Sequence, residues 1–494
     1  MGILPKVSQN KTSINSTRGF NFGQPEAEAE QAYINDFFQD FLGVLDGVAN
    51  GKFIITGRKG AGKSAIAKYI DNDQDSTKCV LVDPTEVRFQ RILQALPDID
   101  CSLYFEWIIL VRLVKMLLDT ELAPSARYMS DLKKFYDRNT GAINIASYKV
   151  SEISSHQEVL FEVLKNSFPS IVTRFYRDKK EVKGAFYEFV PVLREILQTV
   201  LKYQVFEDLE FFICFDDLDV GFKLQRDSAT LMELIRVAKR YNTQLFHQTK
   251  CRVLLFMRDD IQKHLEAKEA DLTKIFGSYE FNISWFNPND ARISENKTNI
   301  KKFINRRIQY NFRKNGITYN ENDPWYTLFE ECSRETSNKG SFKYILDHTF
   351  YRPRDLINVI KDLGIKDYSY PISFNTIQTL LNQYSEYCVG EIKNELSMLY
   401  SEDDINNIFK LLKTIAVHIQ KPTFTKLMEL FNENNVDEKW FASLLAYDII
   451  IPIDNETNEI YCNYREKRIT KDVEEYCFTL QKSIYVYFNR YKIR

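Results

Sequence analysis

Strand-length, apolar-rich runs closed by polar or turn-forming residues punctuate the N-terminal half of the chain: Phe53–Thr56, Cys79–Asp83, Phe211–Phe215, Arg252–Met257 and Tyr279–Ile283. Runs that lack alternation read as strands buried on both faces, the signature of a parallel sheet. Between them, apolar residues recur at helical spacing over Ser64–Ile70, 102–119, 155–168 and 185–204. The interval 84–208 is far too long for one crossover helix and predicts a largely helical insertion. Upstream, Phe20–Gly23 followed by Glu26, Glu28 and Glu30 predicts a helix running to residue 48. Near the C-terminus, Ile405, Ile408, Leu411, Leu412 and Ile415 share one helical face. Thr423 is placed to cap a second helix through Phe431, and Asp437 a third containing Trp440, Leu444 and Leu445. Strands at Ile449–Ile453 and Glu459–Tyr464 then flank Asp454–Asn458, which completes a winged-helix-like order.

Composition changes this picture little. The 494 residues accommodate about three domains, and a hydrophobic share of 44% with 27% charged residues describes a soluble globular chain. A formal charge of −2 gives no general basic field for nucleic acid or anionic lipid. The 8 cysteines form no C-x-x-C pair and the 5 histidines are dispersed, which argues against a zinc or disulfide framework. Cys214 and Cys251, inside strand-like runs, read as buried reduced thiols of a reducing compartment. The longest apolar stretch, 101–118, is interrupted by Glu106, Arg112 and Lys115, and the N-terminus lacks a signal-peptide core. A cytoplasmic protein with no membrane partner is expected.

Candidate chemistry begins at Gly57-Arg58-Lys59-Gly60-Ala61-Gly62-Lys63-Ser64, which fits G-x-x-x-x-G-K-[ST] at every fixed position, between a strand and a helix. Glycines let successive backbone N–H groups turn inward around phosphate oxygens, and the following helix adds the positive end of its dipole. The expected nucleotide-binding set is Gly57, Lys59, Gly60, Ala61, Gly62, Lys63, Ser64 and Ala65. Lys63 would reach the β- and γ-phosphates, and the Ser64 hydroxyl would ligate Mg²⁺.

The third apolar run ends in Asp216-Asp217-Leu218-Asp219, at the strand edge where open α/β sheets place their ligands. Asp216 is expected to hold Mg²⁺ through water, and Asp217 to polarise the attacking water. Asp219 caps the next turn or joins the site. The following strand ends in Arg258, which either neutralises charge on the transferred phosphoryl group or pairs with Asp260. The sequence contains neither an N-K-x-D base-reading motif, which disfavours a GTPase, nor an L-S-G-G-Q-like signature, which disfavours an ABC-type ATPase.

Past residue 296, Lys301, Lys302, Arg306, Arg307, Arg313 and Lys314 fall in one helix almost free of acid. That helix reads either as a solvated basic face, or as a nucleic-acid contact or inter-subunit arginine finger. In Tyr351-Arg352-Pro353-Arg354, Pro353 opens a helix whose first turn carries Arg354. Arg354 is the first candidate to report nucleotide state and Arg352 the second; the alternative is a pair with a nearby carboxylate. The third helix of the winged-helix-like unit offers Asp437, Glu438 and Lys439, which disfavours sequence-specific DNA readout.

With Phe22–Glu30, Phe53–Ile66, Phe211–Asp219, Leu254–Ile261, Ile283–Trp285 and Phe350–Ile357 in view, the chain resembles bacterial STAND/KAP-like P-loop ATPases, members of the additional-strand class. The compact relatives are often encoded in phage-defence loci. The resemblance implies an α/β P-loop NTPase core, residues 20–296, with a parallel sheet and the 84–208 insertion. A helical lid, 297–395, and a winged-helix-like domain, 396–494, would follow it, with a mobile N-terminus at 1–19. It further implies Mg-ATP binding, slow hydrolysis catalysed by Asp217, Lys63, Arg258 and Arg354, a homo-oligomer, and control of an effector protein. Many relatives place Glu where this chain has Asp217. The insertion is either a partner or self-assembly surface or a packing layer. A DNA-loading ATPase of the origin-recognition type, with nucleic acid bound through Lys301, Lys302, Arg306 and Arg307, is the alternative.

Overall fold

The computed structural model describes residues 15–72, 76–82, 100–120, 127–140, 158–175, 183–218, 224–331, 340–397, 400–465, 467 and 469–490. The chain divides into two units, Leu42–Ile283 and a second made of Met1–Phe41 with Ser284–Arg494. Among the described residues no helix is long and apolar enough to cross a membrane.

The first unit is built on a five-stranded sheet of β1 (Ile54–Gly57), β2 (Thr77–Val82), β5 (Glu210–Phe215), β6 (Cys251–Arg258) and β7 (Glu280–Ile283). A separate antiparallel pair, β3 (Glu158–Leu160) and β4 (Lys183–Ala185), lies within the insertion. Every strand pairing in the main sheet is parallel and the order is β2-β5-β6-β1-β7. The apolar runs therefore become strands, Asp83 falling outside the described residues, and β6 lies between β1 and the acid-bearing β5. Ile54 pairs with Leu255, which pairs with Phe215, and Gly57 lies between Arg258 and Ile283. The C-terminal ends of these strands share one sheet edge.

Helix α1 (Lys63–Asn72) follows β1, and α2 (Cys101–Leu118) packs on β2 and β5. Because α2 lies between the sheet and the helices α3 (Phe186–Val200) and α4 (Leu224–Arg240), it is buried nearly all round. Its Glu106 is 1% exposed. The carboxylate accepts from Arg194 of α3, from Arg240 at the end of α4 and from the Tyr241 hydroxyl. Several donors on one carboxylate offset the loss of its water.

The segment 155–168 departs from the helix expected there. Its described part holds β3 and one helical turn, Glu162–Lys165, while Arg127–Arg138 supplies a helix instead. Phe161 stacks on Phe189 at 4.9 Å and meets Phe135 edge-on at 5.2 Å. Phe161 is thus an aromatic anchor rather than part of one helical face.

In the second unit a single hydrophobic cluster runs from Phe20 to Phe488. It joins α5 (Asn299–Lys314), α6 (Pro353–Ile360), α7 (Phe374–Ser397), α8 (Glu402–Val417), α9 (Phe424–Glu433), α10 (Phe441–Ala446) and α11 (Lys482–Asn489). The expected N-terminal helix is broken into short turns over Ala27–Phe37, ending where Phe38 turns extended at ψ 138°. The described residues before it are not loose, as residues 1–19 were expected to be. Thr17 N–H donates to Tyr368 O and Gly19 N–H to Gly364 O, both at 2.9 Å, and Asn21 exchanges backbone bonds with the Asn311 amide. Residues 1–14 lie outside the described residues.

The C-terminal helices come in the expected order, with Ser401, Thr423 and Asp437 as side-chain caps. The strands differ. β8 (Ile450–Asp454) pairs with β9 (Tyr476–Leu480), and Glu459–Tyr464 contributes only the bridge Ile453–Ile460. The reason is local: the buried Asp448 carboxylate takes the N–H groups of Asn463 and Tyr464 at 2.6 and 3.2 Å, which curls that segment into a helical turn.

Candidate functional site

The loop after β1 is shaped by two glycines in the left-handed region, Gly60 at φ 80° and Gly62 at φ 102°, which a Cβ would strain. A bond from Ala61 N–H to Arg58 O at 3.1 Å closes the turn, and Ile66 N–H reaches back to Gly62 O at 3.2 Å to open α1. Lys63 leads the helix and donates from Nζ to Gly57 O at 2.8 Å and Arg58 O at 3.1 Å. Lys59, Gly60, Gly62, Lys63, Ser64 and Ala65 are half-buried, while Gly57 and Ala61 are buried. Three cations and no acid occupy Gly57–Ser64, a donor set suited to a polyanion.

Gly57 is needed for packing. A Cβ there would lie 3.1 Å from Ile283 Cβ and 3.3 Å from its carbonyl oxygen. Gly57→Ala is therefore expected to cost about 1–3 kcal/mol through overpacking, read as a lower urea midpoint at unchanged slope.

A polar chain missed by pattern reading braces the same strand. Asn282 Nδ2 donates to Thr56 Oγ1 at 2.9 Å, and the Thr56 hydroxyl donates to Glu280. Burial pushes the Glu280 carboxyl above its ordinary range, against the pull of the Thr56 hydrogen bond. Glu280 and Asn282 are two residues apart on β7, so they share a face. That period is visible in the sequence, but their meeting with Thr56 depends on register.

At the edge of β5, Asp216 is half-buried and Asp217 is exposed with φ 49°, a left-handed turn that Asp tolerates better than most residues. Asp219 lies outside the described residues. Two residues before Asp216, the Cys214 thiol lies 3.6 Å from that of Cys79 on β2, and burial pushes its pKa well up. Arg258 ends β6 and is paired: its Nε and Nη2 reach the two Asp260 oxygens at 3.0 and 2.6 Å, the second of the two sequence expectations.

The remaining candidates lie in the other unit. Arg352 is half-buried and doubly bonded to Asp355 at 2.9 and 2.8 Å. Arg354, in the first turn of α6, donates to Pro25 O at 3.2 Å and lies 4.0 Å from Glu391.

The basic face expected on α5 survives in part: Lys302, Arg313 and Lys314 are exposed, but two of the six cations are turned inward. Lys301 is 0% exposed and held by Glu295 at 2.5 Å and Asp323 at 2.8 Å. Arg307 is 3% exposed, reaches both Glu30 oxygens at 2.9 and 2.7 Å, and lies over the Phe37 and Phe303 rings. Arg306 is bonded to Asp36 O and Gln39, and Lys302 is exposed. The period of α5 turns Arg307 inward beside Ile300, Phe303 and Ile304, so its charge serves the core rather than a ligand. Burial pushes the Glu30 carboxyl above its ordinary value even against Arg307.

Among known proteins, residues 298–393 match a family model described as the FunZ-associated C-terminal helical domain. The matched segment begins at α5 and ends within α7. No curated protein and no solved structure matches the chain.

Proposed function

We propose that this protein binds and slowly hydrolyses Mg-ATP and uses the nucleotide to control its own assembly and a partner effector. The reading is carried by one observation: a loop of left-handed glycines, with Lys63 held over the Gly57 and Arg58 carbonyls, at the same sheet edge as Asp216 and Asp217. The strand β6 between β1 and β5 suits an additional-strand ATPase core. A bacterial anti-phage setting, the oligomer and the effector rest on the motif resemblance and, for the helical domain, on the FunZ-associated match.

The backbone N–H groups of Gly60–Ser64 and the Lys63 ammonium take the phosphates. Ser64 and Asp216 would hold Mg²⁺, which when bound supplies charge neutralisation at the phosphoryl group. Asp217 orients and polarises the attacking water. Arg258 is available to the phosphoryl group only if it leaves Asp260. The DNA-loading alternative has less support, because Lys301 and Arg307 are internal ion pairs.

Asp217→Asn tests the reading. ATP affinity by calorimetry is expected within about twofold of the parent, and turnover lower by roughly 100-fold or more, the usual contribution of a positioned base. Undiminished hydrolysis by the variant would remove Asp217 from this role.

A further inference from the structure

At the start of β5 and β6, the sheet edge opposite the glycine-rich loop, one face departs from the apolar rule of a covered parallel sheet. Glu210 and Phe212 of β5 stand two residues apart, and so do Lys250, just before β6, and Arg252 within it. A strand turns alternate residues to the same face, and Phe212 pairs with Arg252 in register, so the four form one patch. The residues between them, Phe211 and Cys251, are buried on the other face.

This patch lines a cavity of about 250 Å³. Much of the remaining lining is apolar: Leu45, Val48 and Ala49 from the short helix Val44–Ala49, with Tyr69 and Ile70 from the last turn of α1. All of these residues belong to the Leu42–Ile283 unit. The polar wall carries an unbalanced charge. Arg252 is half-buried and held by its own turn, Nη1 donating to Thr249 O and Cys251 O, both at 2.8 Å. Among the described residues no carboxylate pairs with Arg252 or Lys250, and no cation pairs with Glu210. Two cations against one carboxylate leave the wall with a net positive charge.

We propose that this cavity binds a compact organic monocarboxylate, its carboxylate on Arg252 and Lys250 and its apolar body against Phe212, Leu45 and Val48. With Nη1 held by backbone carbonyls, the Nε–Nη2 edge of Arg252 is left as a planar fork, which matches the two oxygens of a carboxylate. Glu210 in the same wall opposes a second negative charge and so selects a monoanion over a phosphate dianion. The volume falls just below the roughly 300–1,000 Å³ of pockets that hold drug-sized molecules, which calls for a small metabolite. The site does not depend on the ATPase reading, because the cavity and the glycine-rich loop stand at opposite ends of the strands.

The test titrates phenylacetate against the full-length chain by ligand-observed NMR, with phenylacetamide as its neutral counterpart and phenyl phosphate as a dianion. Phenylacetate is expected to bind with a Kd of about 1 mM, the scale open to a ligand of this size. The amide and the phosphate are each expected to bind at least about tenfold more weakly. Arg252→Gln is expected to weaken phenylacetate at least about tenfold. Ala49→Trp, which fills the cavity from an exposed position, is expected to abolish binding. Urea melts check that both variants fold, and Lys250→Gln, at another exposed position, is expected to weaken the probe at least about threefold. Lys63→Ala is expected to leave the affinity unchanged. Absence of binding at about 10 mM overturns the site. An amide as tight as the acid overturns the role of the cations, and a tighter phosphate overturns the choice of a monoanion. Undiminished binding in folded Arg252→Gln or Ala49→Trp, or loss of binding in Lys63→Ala, puts the probe elsewhere and overturns the site. None of these outcomes turns on ATP binding or hydrolysis, so failure here and failure of the ATPase reading are read separately.

Discussion

Lys63→Ala is expected to weaken Mg-ATP binding by at least about 30-fold, because charge-assisted contacts to phosphate are each worth roughly 1.5–3 kcal/mol. In the protein itself the ammonium bonds the carbonyls of Gly57 and Arg58, at 2.8 and 3.1 Å, and such bonds contribute about 1 kcal/mol each, net. Isothermal calorimetry paired with a urea melt separates the two effects. Unaltered affinity in a folded variant would sink the phosphate-loop assignment, and with it the proposed ATPase. Lys63→Arg sharpens the result, since it keeps the charge but replaces a compact point donor by a planar fork.

The largest effect on stability is expected at Glu30. Glu30→Ala removes both acceptor oxygens from the Arg307 guanidinium, whose side chain is 3% exposed between Phe37 and Phe303. Leaving one member of a buried ion pair costs about 3–5 kcal/mol, measured as the loss in unfolding free energy of the second unit by urea titration. Replacing both partners, Glu30→Leu with Arg307→Met, is expected to restore most of that loss, because the desolvation penalty disappears along with the attraction. A double variant as unstable as Glu30→Ala would mean that the pair acts through geometry instead. Gly23 belongs to this arrangement: at φ 90°, a Cβ there would come within 1.8 Å of the Glu30 Oε1 atom.

Much of the first unit was legible because its signals are local. Five apolar runs became five parallel strands, and the period of α2 and α3 marked them as helices before any contact was known. The loop glycines carried their left-handed backbone in their residue type. Legibility ended where an apolar residue could serve either a helical face or a single anchor. Phe161 looked like part of a helix and is a stacking partner of Phe189. The basic helix was legible only in part, for a related reason: Lys301 and Arg307 are buried while Lys302, Arg313 and Lys314 are exposed. Charge counted along a sequence says nothing of which side of a helix faces a carboxylate, and Glu30 lies far upstream of Arg307.

Chain chemistry alone specifies the glycine-rich loop, the acid-tipped strand and the Arg-tipped strand, because each is a short contiguous string whose geometry follows from residue type and period. Folding assigns the partners: Arg352 to Asp355, Arg307 to Glu30, and Tyr351 to Tyr464 and Arg465. Arg307 and Glu30 lie 277 residues apart, and Tyr464 and Arg465 lie over a hundred residues past Tyr351, so their selection depends on burial. An ion or ring withdrawn from water must be satisfied by whatever the fold brings alongside it, and no spacing rule in the sequence names that neighbour.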